Sequence, residues 1–201
     1  MDNFWDQRYS AVEYVYGKEP NVFFKSEIDK LKPGKILIPG AGEGRDAVYA
    51  ATLGWDVYAV DMSEEGKKKA LRLAEEKNVT IHYDVMDIKD INYTEKSFDV
   101  IASIFFHLTE NLRKPFHQKA IKLLKDDGMF LIECFNPNQL KNNSGGPKDS
   151  NLLYTQNMLS DDFSDLKIEQ NIELQVVLDE GEFHKGLADN IRFIARKKQT
   201  T

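Results

Sequence analysis

The stretch ILIPGAGEGRDA, residues 36–47, decides the fold. An apolar run of strand character leads directly into three glycines at alternate positions, and the charged pair Arg45 and Asp46 follows them. Glycine loses more conformational entropy on folding than any other residue, so such a cluster indicates a backbone that turns tightly or that a ligand approaches closely. The stretch therefore predicts a buried strand, a tight turn and the start of a helix.

The amino-acid composition limits the number of domains and the kinds of partner that the chain can have. The chain has 201 residues, 41% of them hydrophobic and 30% charged, which is typical of one globular domain. Its formal net charge of -6 disfavours nucleic acid as a partner, because that binding depends on basic side chains. No apolar run reaches the roughly 20 residues of a membrane span, and the N-terminus lacks a signal-peptide pattern. We expect a cytoplasmic protein with no membrane partner, either a monomer or a homodimer.

Strand and helix patterns alternate along the first two thirds of the chain. Near-continuous apolar runs predict strands at 34–40, 55–61, 79–85, 97–106 and from 128, and helical spacing predicts helices at 45–53, 63–76 and 112–124. This alternation is typical of a parallel sheet with helices on both faces. A polar segment at 136–151 then predicts a long loop, and two runs at 172–181 and 188–197 predict an antiparallel hairpin.

The ends of the first three predicted strands carry the residues for a ligand. Ligands of open α/β sheets bind outside the carboxyl ends of the strands, where the glycine turn lies. Asp61, at the end of the second strand, can accept both hydroxyls of a ribose, and Asp84, at the end of the third, can accept an adenine amino group. The residues predict a nucleoside-containing cofactor. The spacing G-x-G-x-G, with Arg45 where a third glycine would stand, disfavours NAD.

Four segments in order resemble the motifs of class I S-adenosylmethionine-dependent methyltransferases: LIPGAGEGRDAVYAATLGWDVYAVDMS, YDVMDI, SFDVIAS and LLKDDGMFLIECF. The variant of the glycine turn with Pro39 before the first glycine and Asp46 after the last resembles that of the thiopurine and thiol methyltransferase branch. The lead segment FWDQRYS…YVYGKEPN, with GGPKD and DEGEFHKG, resembles small bacterial TehB-like proteins. The resemblance implies an α/β, three-layer Rossmann-like fold with a mostly parallel seven-stranded sheet and an antiparallel C-terminal hairpin strand.

The resemblance also implies three segments with different roles within one domain, residues 1–201. Residues 1–30 would form an N-terminal lid, 34–135 the cofactor-binding core, and 136–201 the acceptor-side loop and hairpin. S-adenosylmethionine is the implied cofactor, and one set of positions would hold it: Gly40, Ala41 and Gly42 at the methionine end, Asp61 at the ribose, Met62, Asp84 and Val85 at the adenine, Ser103 and Ile104 on the other side, and Trp5, Tyr9 and Tyr16 in the lid.

One position departs from the family pattern. Many members have an acid two residues before the first glycine that helps to place the methionine amino group, and this chain has Ile38 there. That contact must come from elsewhere, for which a backbone carbonyl is one candidate.

Two histidines lie where a general base could act. His107 follows the fourth predicted strand directly, and His184 lies in the turn of the C-terminal hairpin. An imidazole can accept a proton near neutral pH, so both are candidate catalytic residues. Their spacing is not that of metal ligands, and we predict no metal.

Other chemistry-bearing residues have plainer interpretations. We expect His82 to be structural within a strand and His117 to lie on the surface of a helix. Cys134 lies in an apolar strand and belongs in the core, and the three lysines at 67–69 form a solvated helix face.

The reaction expected from the resemblance is an in-line methyl transfer to a small-molecule acceptor: a thiol, a chalcogen compound or another small metabolite. Such a transfer mainly requires alignment and exclusion of water. The segment SIFFHL, 103–108, lacks the [ND]PP[YF] pattern of adenine-amino methyltransferases. Two alternatives stay open: a non-catalytic cofactor-binding or scaffold protein on the same fold, and an NAD-dependent oxidoreductase.

Overall fold

Seven strands form a single mixed sheet in the computed structural model, which describes residues 4–199. Their order across the sheet is β3-β2-β1-β4-β5-β7-β6. Strands β1 to β5 run parallel, and β7 is antiparallel to both β5 and β6. The bounds are β1 Lys35–Pro39, β2 Asp56–Asp61, β3 His82–Val85, β4 Phe98–Ile104, β5 Leu124–Phe135, β6 Lys167–Asp179 and β7 Lys185–Arg196. The predicted fold, including the C-terminal hairpin, is confirmed.

Strand β1 is the point where the strand order reverses. It pairs with β2 on one side and with β4 on the other, so the connections that leave β1 and β4 diverge from each other. The divergence opens a crevice beyond the carboxyl ends of these strands. The glycine turn that follows β1 lies at this crevice, which explains its position in the sequence.

Helices cover both faces of the sheet and bury two apolar layers. One face packs Phe98, Phe130 and Phe193 against α5 and α6, and the other packs Ile36, Ile38 and Val57, with further apolar residues, against α2, α3 and α4. The bounds are α1 Phe4–Tyr9, α2 Val22–Ile28, α3 Arg45–Thr52, α4 Glu64–Glu76, α5 Glu110–Leu123 and α6 Gln156–Asp162. No helix within residues 4–199 has the length and apolar character needed to cross a membrane.

The three consecutive lysines of α4 do not share one environment, which corrects the expected solvated face. Lys69 is buried, and its Nζ lies 2.6 Å from Oε1 of Glu43 and 2.6 Å from the carbonyl oxygen of Glu13. Successive residues of a helix point about 100° apart, so three neighbours cannot all face solvent on a helix that packs against the core.

The expectation for His117 was also wrong, because its ring is buried. Its Nδ1 lies 2.7 Å from Oδ2 of Asp162, which also accepts a 2.8 Å hydrogen bond from Nε of Arg113. Burial lowers the pKa of His117, while the Asp162 carboxylate opposes that shift. The three side chains join α5 to α6. His82 is exposed and stacks on Tyr58 with ring centroids 4.5 Å apart, whereas Cys134 lies in the core as expected.

Candidate active site

A cavity of about 830 Å³ opens beyond the carboxyl ends of β1, β2 and β4. This volume falls in the upper part of the range for small-molecule sites, roughly 300–1,000 Å³. The glycine turn, helix α1, the loop at 143–152 and the hairpin turn at 183–184 lie around it, together with residues 60–62, 86–88 and 104–108. The cavity is large enough for a nucleoside cofactor together with a small second ligand.

The glycine turn is shaped by left-handed backbone and by close packing. Gly40, Gly42 and Gly44 have φ of 66°, 51° and 84°, a region that side chains other than glycine rarely adopt. A Cβ on Gly44 would lie 2.4 Å from Cβ of Ala70, so this glycine lets α4 approach the turn. The carbonyl of Gly42 accepts a 2.6 Å hydrogen bond from the Tyr83 hydroxyl, which fixes the middle of the turn.

Asp61 lies beside this turn, and its carboxylate accepts hydrogen bonds from the backbone. Its Oδ2 accepts a hydrogen bond from the Gly42 N–H at 2.9 Å, and its Oδ1 accepts one from the Ser63 N–H at 3.0 Å. Burial raises the pKa of Asp61, and the backbone hydrogen bonds oppose the shift. A carboxylate offers about four lone-pair sites, so beside the backbone donors Gly42, Met62 and Ser63 the Asp61 carboxylate can still accept a ligand hydroxyl.

Helix α1 lies over the glycine turn. Trp5 and Tyr9 stack with ring centroids 5.6 Å apart, and the space on the open side of Gly42 is taken by the Tyr9 hydroxyl. Oδ1 of Asp6 accepts hydrogen bonds from the Ser63 hydroxyl at 2.6 Å and from the Glu65 N–H at 3.2 Å. These contacts attach α1 to the first turn of α4, next to the end of β2.

Glu43, inside the glycine turn, holds the segment that follows α1. Its Oε2 accepts hydrogen bonds from the Val15 N–H at 2.8 Å and the Tyr16 N–H at 3.3 Å, while its Oε1 pairs with Lys69. The pair is buried on both sides, with Lys69 also bound to the Glu13 carbonyl. The glycine turn, α4 and residues 13–16 are therefore held together by a buried ion pair and its backbone hydrogen bonds, which sequence reasoning missed.

A second buried polar network lies behind the cavity. Arg45 donates to Oε2 of Glu180 at 2.8 Å and to the Tyr16 carbonyl at 2.9 Å. The Asn21 amide donates to Oε2 of Glu133 at 2.6 Å and to Oε1 of Glu180 at 3.0 Å. Burial alone would raise the pKa of Glu180, but its neighbours, chiefly His184 and Arg45, lower that pKa to about 2. The sequence carries one signal of this buried network, because Glu133 is an acid inside an otherwise apolar strand.

His184 lies in an aromatic enclosure on the far side of the cavity. The ring centroids of Tyr16 and Phe105 are each 4.6 Å from its own, and that of Phe135 is 5.5 Å away. Its Nδ1 is 3.6 Å from Oε2 of Glu180, which exceeds an ordinary hydrogen bond. Burial lowers the pKa of His184, although Glu180 opposes the shift. The His184 ring lines the cavity, where it can contact a bound ligand.

Phe105 reaches this enclosure through an unusual backbone conformation. Its φ of 51° is left-handed, which costs of order 1–3 kcal/mol for a residue with a bulky side chain. Its N–H still donates to the Glu133 carbonyl at 2.7 Å, and its ring stacks on Phe135. The turn away from β4 thus aims an aromatic ring at the cavity.

His107 also lines the cavity, but both of its ring nitrogens have protein partners. Nδ1 lies 2.6 Å from the Leu152 carbonyl, and Nε2 accepts a 3.4 Å hydrogen bond from the Phe135 N–H. Burial lowers the pKa of His107 to about 4. The ring is therefore neutral at pH 7 and joins β5 to the loop at 143–152.

Most of the predicted site residues meet at the cavity, and three do not. Those on its wall are Gly40, Ala41, Gly42, Asp61, Met62, Ile104, His107, His184, Trp5, Tyr9 and Tyr16. Asp84, Val85 and Ser103 are not part of the wall. Asp84 accepts a 2.6 Å hydrogen bond from the Tyr93 hydroxyl, and the chain leaves β3 after Val85, so Met86, Asp87 and Ile88 reach the cavity instead.

Residues 36–128 match a protein family described as a methyltransferase domain. Among curated proteins, TehB of Haemophilus influenzae Rd, a probable S-adenosylmethionine-dependent methyltransferase, is 28% identical over 92 residues, which are 46% of this chain and 32% of TehB. The ubiquinone biosynthesis O-methyltransferase of Rickettsia akari is 28% identical over 125 residues, 62% of this chain and 48% of that protein. The chain thus spans about a third to a half of the length of these relatives.

Solved structures agree on the fold over nearly the whole chain. The crystal structure of TehB from Haemophilus influenzae superimposes with a TM-score of 0.73 at 20% identity and covers 97% of this chain and 66% of TehB. A structure described as "Conversion of a Disulfide Bond into a Thioacetal Group during Echinomycin Biosynthesis" gives 0.78 at 17% identity, covering 98% and 92%. The curated relatives support the resemblance to class I S-adenosylmethionine-dependent methyltransferases, and the solved structures, including that of TehB, confirm the expected fold.

Proposed function

We propose that this chain, whose residues 36–128 match a methyltransferase domain family, transfers a methyl group from S-adenosylmethionine to a small-molecule acceptor. One observation carries the proposal: a single cavity joins the glycine turn and the Asp61 carboxylate to an aromatic enclosure around His184. The first part suits a nucleoside cofactor, and the second suits a small acceptor. A thiol, a chalcogen compound or another small metabolite fits this site.

The cofactor occupies the side of the cavity next to α4. Gly40, Ala41 and Gly42 line its methionine end, and the free lone pairs of Asp61 accept the ribose hydroxyls. Met62, half exposed on the wall, packs against the adenine. Asp87 lies on the wall and takes the adenine-edge role that the family resemblance gave to Asp84.

The lid contributes aromatic faces to the reaction. Trp5, Tyr9 and Tyr16 line the cavity above the glycine turn. Aromatic faces attract a cation, and the sulfonium of S-adenosylmethionine is one. The same rings exclude water from the reacting atoms, which an in-line displacement requires.

On the acceptor side, His184 is the stronger candidate for a base. Its ring lines the cavity with Nδ1 directed to Glu180 at 3.6 Å, whereas both nitrogens of His107 are engaged with the backbone. From its place on the cavity wall, the His184 ring would accept a proton from an oxygen or nitrogen acceptor, and a thiolate would need only alignment. We assign His107 to holding the acceptor-side loop. A cytoplasmic location and a monomeric or homodimeric state remain predictions.

Calorimetric titration of the full chain with S-adenosylmethionine, S-adenosylhomocysteine and NAD tests the cofactor. We expect micromolar binding of the first two and none of NAD. Asp61→Ala should weaken both affinities at least tenfold, because two charge-assisted hydrogen bonds are lost. Asp56→Ala is the matched control, since Asp56 is exposed at the opposite end of the same strand. Equal affinities in the two variants would remove Asp61 from the site.

Release of S-adenosylhomocysteine with thiols, chalcogen oxyanions and small aromatics tests the reaction itself. We expect His184→Ala to lower turnover while the affinity for S-adenosylmethionine stays within twofold of wild type. Tight cofactor binding with no turnover on any acceptor would favour the scaffold alternative. NAD binding alone would favour the oxidoreductase.

A further inference from the structure

Glu180 directly follows β6 and lies in the hairpin turn with His184, and the two side chains face each other. The Glu180 N–H donates to the His184 carbonyl at 2.9 Å, and the His184 N–H donates to the Gly181 carbonyl at 3.3 Å. Oε2 of Glu180 lies 3.6 Å from Nδ1 of His184, and each side chain is only 8% exposed. The turn therefore presents a buried carboxylate to one nitrogen of the ring.

Other parts of the chain hold both oxygens of this carboxylate in place. Oε2 accepts a 2.8 Å hydrogen bond from Arg45, in the first turn of α3. Oε1 accepts a 3.0 Å hydrogen bond from the side-chain amide of Asn21, which caps the start of α2. Hydrogen bonds to an ionised group are stronger than neutral ones, and a carboxylate has about four lone-pair sites. Glu180 is thus a fixed negative charge that can still accept a hydrogen bond from His184.

Packing around His184 leaves its ring two orientations, related by a half turn about the bond from Cβ to Cγ. The rings of Tyr16 and Phe105 pack against it with centroids 4.6 Å from its own and fix its plane. The Cδ2 edge lies at Gly145, where an added Cβ would come within 2.8 Å of Cδ2. Nδ1 is on the opposite edge, toward Glu180. The carboxylate favours this orientation, because the half turn would place a C–H group beside it in place of a nitrogen.

The same carboxylate decides which ring nitrogen carries the proton. A neutral imidazole has one N–H group, and the partner of one nitrogen sets its position. A carboxylate only accepts hydrogen bonds, so Nδ1, beside Glu180, is the nitrogen that takes the proton. Nδ1 is buried and the ring lines the cavity, which leaves Nε2 and its lone pair for a ligand. The 3.6 Å separation is longer than an ordinary hydrogen bond, and such contacts in enzymes often tighten when the ligands bind.

We propose that Glu180 is a positioning residue for methyl transfer: it keeps the proton of His184 on Nδ1, so that Nε2 accepts the proton of an oxygen or nitrogen acceptor. The inference rests on the proposed function, in which His184 is the base. In that step the acceptor atom gives its proton to Nε2 and an electron pair to the methyl carbon, while the electron pair of the broken carbon–sulfur bond stays on sulfur. The imidazolium that forms lies beside Glu180, whose negative charge stabilises it.

Several charged and titratable groups face His184, and their effects differ in sign. They are Glu180 in the same turn, Arg8 on α1, Tyr16 after α1, Arg45 on α3 and His107 after β4. Burial lowers the pKa of His184 most, the Glu180 carboxylate opposes that shift, and the two arginines add to it. His107 and Tyr16 are uncharged at pH 7, because burial lowers the pKa of His107 to about 4 and raises the pKa of Tyr16. Removal of the Glu180 charge should therefore lower the pKa of His184.

Nitrogen NMR of the full chain tests the inference without any acceptor. Long-range proton–nitrogen spectra near neutral pH distinguish a ring nitrogen with a proton from one with a free lone pair, and His184→Gln identifies the His184 signals. We expect a proton on Nδ1 and none on Nε2 in wild type. Glu180→Gln should abolish this preference and lower the pKa of His184 in a pH titration. Glu182→Gln is the matched control, because Glu182 is exposed in the same turn and should leave both properties unchanged.

Turnover on two acceptors separates positioning of the base from support of the fold. Phenol must lose a proton to accept a methyl group, whereas dithiothreitol reacts as a thiolate and needs only alignment. Glu180→Gln should lower kcat about 10- to 100-fold with phenol and less than about threefold with dithiothreitol, because only the first reaction uses the base. The affinity for S-adenosylmethionine should stay within about twofold of wild type, since Glu180 lies outside the cavity wall. Far-UV circular dichroism confirms that each variant is folded.

Each contrary result overturns the inference in a distinct way. A wild-type ring with its proton on Nε2 would refute it without any variant, so the inference stays testable if Glu180→Gln does not fold. The same tautomer in wild type and Glu180→Gln would show that packing alone sets it. Equal loss of turnover on both acceptors would leave Glu180 as a support of the hairpin turn. Failure of the wild-type chain to bind S-adenosylmethionine would instead overturn the proposed function and would leave the NMR result unchanged, so the two failures are distinguishable.

Discussion

The buried ion pair between Lys69 and Glu43 predicts that removal of the Lys69 charge destabilises the fold. The sequence alone places Lys69 on a solvated helix face, where the same change would have little effect. Lys69→Met keeps most of the aliphatic stem of the side chain and removes its charge. Glu43, with a side chain only 3% exposed, then loses its cation, and the Glu13 carbonyl loses a 2.6 Å hydrogen bond. Loss of one partner of a buried pair costs about 3–5 kcal/mol. Because Glu43 keeps its bonds from Val15 and Tyr16, we expect the lower end, about 3 kcal/mol.

Urea denaturation and thermal melting of the full chain measure this cost. For a chain of about 200 residues, 3 kcal/mol corresponds to a fall in Tm of roughly 6–12 °C. The matched control is Lys68→Met, the neighbouring lysine, whose side chain is 68% exposed in a pair with Glu65. That variant should change the free energy of unfolding by less than about 0.5 kcal/mol. If both variants melt within 2 °C of each other, the buried pair does not stabilise the fold and the reasoning fails.

Two further predictions concern the cavity wall. The pKa of His107 is about 4 because of burial, against 6.5 for an ordinary histidine, so between pH 6.5 and 4 the unfolded chain binds a proton that the folded chain does not. The contribution of the neutral His107 ring to stability therefore falls as the pH drops through that window. The difference in Tm between wild type and His107→Gln should narrow in thermal melts from pH 7.5 to 4.5, and a constant difference would contradict this. Asp87→Asn should weaken S-adenosylmethionine binding about three- to tenfold in calorimetry and Asp84→Asn less than twofold, because only Asp87 reaches the cavity; the reverse order would restore Asp84 to the adenine.

The main elements of the fold follow from patterns local to the chain. The apolar runs ending at Pro39 and Asp61 predict β1 and β2, and Ser63 predicts the start of α4, where its Oγ accepts a 3.0 Å hydrogen bond from the Gly66 N–H. The long polar loop and the final hairpin are equally visible, since turn residues separate runs of strand character. Such signals depend on neighbours within a few residues, so one sequence is sufficient to read them.

The partners of buried polar groups were not predictable in this way. Glu133 and Asn21 are 112 positions apart and hydrogen-bonded at 2.6 Å, and Arg45 meets Glu180 across 135 positions. His117 and Lys69 were expected at the surface because a polar residue on a helix usually is. Each is buried because another part of the chain supplies a carboxylate for it.

The sequence by itself determined the sheet, the glycine turn and the acid at the end of β2, because their signals are local and their chemistry follows from residue type. Only the tertiary structure decided which residues share the cavity. It brought Arg8, Phe105 and Asp87 to the wall and left Asp84 outside it. The physical reason is that a side chain's direction at a strand end, and the charge that meets it across the fold, depend on long-range packing that no local pattern encodes.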